Sequence, residues 1–246
     1  MMRREDMLLE LGLSPTWRMR PAFRSERSGA DAADGTSGEL AAAAPDSRRS
    51  RIATLDMPAL VADIAQCTAC ALCRTRRNTV PGVGDVRAQW MFVGEAPGAD
   101  EDAQGEPFVG MAGRLFDNML AALGLDRTKN VYIANVLKCR PPNNRDPEPL
   151  EAEACGAYLD RQIELIAPRL IVALGRSAAC RLLGVDAPVG GLRNRVHRYR
   201  NTPLVVTYHP AYLLRTPADK AKVWEDLLFA RRVLRDALET TSAHAP

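Results

Sequence analysis

The chain has 246 residues, with 33 Lys and Arg against 30 Asp and Glu, a formal net charge of +3, 46% hydrophobic residues and 26% charged ones. This is ordinary globular composition, enough for one large domain or two small ones with a self-supporting core, and it excludes a peptide-sized scaffold and wholesale disorder. The small positive charge neither demands nor forbids a nucleic-acid partner, because only clustering of cations on one face would argue for one.

In chain order, the opening MMRREDMLLELGLSPTW sets Met7, Leu8, Leu11 and Leu13 at helical spacing before a Ser14-Pro15 breaker and Trp17. Residues 1–24 therefore read either as a frayed terminus or as a short docking helix that presents Leu and Trp anchors. Charges interrupt this segment where a signal peptide needs a continuous apolar stretch, and no later run approaches the ~18 apolar residues of a membrane span. The expectation is a cytoplasmic protein with no membrane contact. Between residues 25 and 50, Leu40 is the only large apolar side chain. Such a stretch buries too little surface to offset its chain entropy, and residues 25–52 read as a disordered linker.

Residues 53–240 carry the pattern of one α/β domain. Apolar, β-branched runs at 90–93, 131–136, 170–174 and 204–207 read as four strands. Helical patterns lie at 58–66, 112–123, 149–166, 177–183 and 218–238. The alternation implies a mainly parallel sheet covered by helices on both faces, with the site beyond the carboxyl ends of the strands. That directs attention to residues 94–98, 135–145, 175–177 and 209–212.

A reducing cytosol makes the six cysteines ligands or reactive groups rather than a disulfide framework. Cys67 and Cys70 form a CxxC pair, and Cys139 and Cys155 are a second pair. Four thiolates brought together suit either zinc or an iron–sulfur cluster, and spacing alone does not choose. A redox CxxC sits at a helix N-terminus after a strand, and no strand is predicted before Cys67. Cys180 reads as core packing, whereas Cys73 is a third thiol able to stand in for Cys70.

Four segments, CTACALCRTR, GEAPGADEDAQGEPFVGMAG, NVLKCRPPNNRDP and HPAYLLR, occur in that order. Together they resemble the family 4 uracil-DNA glycosylases, the iron–sulfur branch of that superfamily, over residues 67–228. The resemblance implies a three-layer α/β/α sandwich around a four-stranded mainly parallel sheet, and a structural 4Fe-4S cluster on Cys67, Cys70, Cys139 and Cys155. It also implies a monomer that removes uracil from single- or double-stranded DNA. Such chemistry flips the base into a pocket that reads its Watson–Crick edge. Phe108 matches the stacking aromatic, and Asn135 the amide that pairs with uracil O4 and N3. His209 matches the donor to uracil O2, where negative charge grows as the glycosidic bond breaks. Gly94, Glu95 and Ala96 form the loop against the base, with Glu95 contacting uracil and positioning water and Glu101 in support.

Around this pocket Lys138, Arg140, Arg145 and Arg215 are expected at phosphates, with Leu213 and Leu214 as wedges into the duplex. RREDMLLELGLSPTWRMRP is similar to the N-terminal segment of the psi subunit of bacterial DNA polymerase III, which implies a clamp-loader contact through residues 1–24. Three rival readings stand beside the enzyme. They are a non-catalytic iron–sulfur DNA-binding protein of the same fold, a glycosylase of broader deaminated-base preference, and a zinc module serving as an interaction hub.

Overall fold

A computed structural model describes residues 45–242. The docking helix expected within residues 1–24 lies outside the described residues, as does the linker up to residue 44. The last part of the expected linker is a helix instead, α1 (Pro45–Ala53). Its one apolar anchor, Ile52, is fully buried. Arg48 donates to the Ala154 carbonyl at 2.8 Å and lies 4.8 Å from the Tyr158 ring centre, while Arg49 pairs with Asp160 at 3.2 Å. The composition looked like a linker because this helix docks mostly through guanidinium groups rather than an apolar stripe.

Six strands form one sheet: β1 (Val83–Gly84), β2 (Trp90–Gly94), β3 (Val131–Asn135), β4 (Leu170–Leu174), β5 (His197–Tyr199) and β6 (Thr202–Thr207), in the order β1-β3-β2-β4-β6-β5. The four expected strands are its parallel centre, and β1 and β5 are antiparallel edges. Every residue of β2, β3 and β4 is buried, which is why those strands read as unbroken apolar runs. The edge strands lack that signal. β1 has two residues, and β5 reads His-Arg-Tyr with no alternation to detect.

Period-two alternation sends side chains of each central strand to opposite faces. Met91, Val93, Ile133's neighbours Tyr132 and Ala134, Ile171 and Ala173 pack with Leu60 and Ile64 of α2 (Met57–Ala65), Tyr158, Leu159 and Ile163 of α5 (Pro149–Ile166), and Ala178 and Leu182 of α6 (Arg176–Leu183). On the other face Phe92, Ile133, Val172 and Val205 pack with Phe116 and Leu120 of α4 (Met111–Ala122) and with Val223, Leu227 and Ala230 of α9 (Lys220–Ser242). Three shorter helices, α3 (Ala99–Gln104), α7 (Val189–Leu192) and α8 (Pro210–Arg215), complete the described α-helices. Local sequence sets several starts. Asp56 accepts the Ala59 N–H at 2.9 Å ahead of α2, and the Glu148 and Glu151 side chains form a capping box at Pro149. The register aligns Gly94 with Asn135 and Leu174 with Thr207, so the carboxyl ends of four parallel strands finish side by side.

Candidate functional site

The loops leaving β2, β3, β4 and β6 are stitched together at that sheet end. The Val136 and Leu137 N–H groups donate to Gly94 and Glu95 carbonyls at 3.0 Å each, and the Gly175 N–H donates to the Thr207 carbonyl at 2.8 Å. At Gly94 a Cβ would stand 2.4 Å from Asn135 Oδ1 and 2.7 Å from the Phe108 ring, so only glycine lets these two side chains close over the strand end. Phe108 adopts a left-handed φ of 57°, rare for an aromatic residue and costly unless the surroundings enforce it. They do. Arg127 donates to the Pro107 carbonyl at 2.8 Å and to the Phe108 carbonyl, and at Gly113 a Cβ would lie 1.8 Å from that same oxygen. The Phe108 ring sits 5.4 Å from His209, inclined by 29°.

Asn135 is buried, and its Oδ1 has no hydrogen-bond partner among the described residues. An unpaired buried acceptor costs about 1–3 kcal/mol, so this oxygen at the sheet end is suited to take a donor from a ligand. His209 Nδ1 accepts the Ala211 N–H at 3.2 Å, which assigns the ring proton to Nε2. Burial, and then the Arg215 charge, hold its pKa down to about 4, so at neutral pH it is an uncharged donor.

The two glutamates part company. The Ser177 hydroxyl donates to Glu95 Oε2, and burial pushes that carboxyl upward against the opposing pull of this bond. Glu101 accepts Val109 and Gly110 N–H groups on Oε1 at 3.0 and 3.1 Å and the Gly98 N–H on Oε2 at 3.0 Å. Expected in a supporting role to Glu95, it acts as a clamp between the 94–98 loop and the segment after Phe108 through these three backbone donors. Asp102, which the sequence reading passed over, accepts Arg77 and Asn78 N–H groups at 2.9 and 3.3 Å and ties α3 to the cysteine loop.

Cys67, Cys70, Cys139 and Cys155 line one hollow with Ile64, Arg76, Lys138 and Tyr158, and Cys73 is not among the lining residues. Three of the four sulfurs accept hydrogen bonds: Cys67 from Arg48 at 3.5 Å, Cys139 from Arg76 at 3.2 Å and Cys155 from the Lys138 backbone N–H at 3.3 Å. Burial pushes the thiols of Cys70 and Cys139 upward and that of Cys155 to about 12. Among the described residues no three His, Cys, Asp or Glu side chains converge closely enough to hold a single metal ion.

The expected DNA face needs three corrections. Lys138 is 1% exposed, and its ammonium donates to the Asn135 carbonyl at 2.8 Å and Gln162 Oε1 at 2.6 Å, so no phosphate reaches it. Leu213 is 1% exposed and belongs to the core, leaving the exposed Leu214 as the apolar tip of α8. Arg145 is bound to Glu151 at 2.6 and 2.9 Å and to Glu148 at 3.1 Å, which fixes it as an anchor of the loop before α5. Arg140 is partly exposed and hydrogen-bonded to Asn144, and Arg215 is exposed. Ala96 packs half-buried against the core.

The family model described as the uracil DNA glycosylase superfamily matches residues 81–228. A type-4 uracil-DNA glycosylase of Archaeoglobus fulgidus is 50% identical over 166 residues, 64% of this chain and 83% of its own. One from Thermotoga maritima is 41% identical over 182 residues, 70% of this chain and 91% of its own. A type-5 uracil-DNA glycosylase of Thermus thermophilus is 35% identical over 136 residues, 50% of this chain and 60% of its own.

Proposed function

Because the chain belongs to the uracil-DNA glycosylase superfamily and, within it, to the type-4 enzymes, we propose that it excises uracil from DNA, leaving the free base and an abasic site. The observation that carries this reading to particular residues is the orphaned Asn135 Oδ1 beside Phe108 and Gly94. A flipped uracil laid on Phe108 supplies the missing donor through N3–H, and the same amide offers its N–H to O4.

The C1′–N1 bond then breaks with its electron pair passing to the base, and negative charge collects on O2. His209 is held neutral with Nε2–H as its donor, so it stabilises that charge without first giving up a proton. Water adds its oxygen to C1′, and its proton leaves towards the Glu95 carboxylate while uracil departs to be protonated from solvent. Arg140, Arg215 and Leu214 are the remaining groups suited to the DNA strand, the arginines at phosphates and the leucine in the gap left by the flipped base.

The four-cysteine hollow fits a 4Fe-4S cluster. Its donors are all sulfur, and three of them already accept the N–H bonds typical of cluster thiolates. When bound, such a group would supply a structural cross-link held by Cys67 and Cys70 after α2, Cys139 in the loop after β3 and Cys155 in α5. Buried thiols with raised pKa values are held as thiolates by a positive charge, which a bound metal would provide. The catalytic domain is proposed to begin by residue 45, and residues 1–24 as a docking peptide for a clamp-loader subunit, which rests on their sequence alone.

The deciding experiment incubates the purified full chain with a uracil-containing oligonucleotide and then applies alkali. Strand cleavage at the uracil position is expected, and binding without cleavage would favour the non-catalytic rival. A brown protein with visible absorbance and matching iron and sulfide content is expected, against a colourless zinc protein.

A further inference from the structure

Gly175 turns the chain off β4 with a left-handed φ of 89°, and a Cβ there would lie 3.0 Å from the Cβ of His209. Two residues later the same turn delivers the Ser177 hydroxyl, in the first turn of α6, to Glu95 Oε2. One short segment thus touches both groups on which hydrolysis depends, and the roles given above use neither Gly175 nor Ser177. A glutamate on a loop has several torsions to lose before its carboxylate points one way. Here the Ser177 bond is made to Oε2, so that a water can be held at Oε1.

We propose that Ser177 is a positioning residue for the hydrolytic water, fixing the Glu95 carboxylate in the orientation that receives the water's proton. This rests on the reading of the chain as a uracil-DNA glycosylase. Burial disfavours the Glu95 carboxylate and the Asp146 charge, from the loop after β3, adds to that, while the Ser177 bond favours it. The other titratable neighbours exert less pull on it. His209 is neutral, and Glu101 is committed to three backbone N–H groups. The hydroxyl also keeps lone pairs able to accept from the same water.

The test is single-turnover uracil release against pH for the wild type, S177A, S177T, E95Q and the S177A/E95Q double variant. S177A is expected to slow release about five- to tenfold and to move the acid limb to higher pH, because removing a donor to the charged form lets the carboxyl protonate earlier. S177T, which keeps the hydroxyl, is expected to restore both. In the E95Q background S177A is expected to add less than about twofold, since its effect runs through the carboxylate. An S177A profile superimposable on the wild type overturns the proposal, as does a slowing of E95Q equal to that of the wild type. Failure of the wild-type protein to release uracil overturns the reading beneath it, and this proposal with it.

Discussion

At the scale of single residues, the candidate site is governed by what lacks a partner and what lacks a side chain. Gly94→Ala would drive a methyl group to 2.4 Å from Asn135 Oδ1. We expect loss of uracil binding, because the clash falls on the Asn135 amide and the Phe108 ring; unaltered affinity for free uracil would count against Asn135 as the reader. His209→Ala should lower single-turnover release at least about tenfold, roughly 1.4 kcal/mol in barrier. Its depressed pKa has two further consequences. The imidazole stays neutral from neutrality down to about 4, so the rate should show no His209 titration near the ordinary value of about 6.5. Between those two values the unfolded chain takes up a proton that folded His209 refuses. Stability from this group is therefore complete above about 6.5 and is lost as pH falls towards about 4, a slope that His209→Gln should flatten in pH-dependent denaturation.

At the scale of elements, sequence legibility followed burial geometry. The central strands and the helices over them were visible because burial on both faces leaves long apolar runs and regular periods. Helix α1 was hidden because three arginines and one isoleucine do the docking, a pattern that composition scores as linker. Ile52→Ala distinguishes the two descriptions. A linker residue would cost nothing, whereas a fully buried isoleucine should cost about 2–4 kcal/mol in chemical denaturation. The site divided along similar lines. Asn135 ends a strand, His209 follows one and Phe108 stands in a compact motif between two helices, and the fold brings these three sequence-marked residues close to one another. Ser177, Lys138 and Asp102 act across long sequence separations, and Glu101 could be located but not given its true partners. Nothing in a linear string says whether a lysine between Leu137 and Cys139 faces solvent or the core.

At the scale of the whole molecule, the cysteine hollow and the base pocket are parts of one network. Lys138 lines the hollow, and its backbone N–H reaches Cys155 while its ammonium reaches the Asn135 carbonyl and Gln162. Gln162 continues to the Pro81 carbonyl at 2.7 Å and the Tyr132 hydroxyl at 3.3 Å. A second route runs from the cysteine loop through Asp102 to α3, whose Glu101 clamps the two loops of the pocket. Damage at the hollow should therefore be felt at the base. Lys138→Met keeps the volume and strands two buried acceptors, each worth about 1–3 kcal/mol, so lowered thermal stability and reduced iron content should accompany weaker uracil binding. A lysine serving only DNA phosphates predicts a different outcome, namely unchanged iron content, unchanged uracil affinity and a shallower salt dependence of DNA binding. Measuring all three on the same variant separates the two roles, because burial permits only the first.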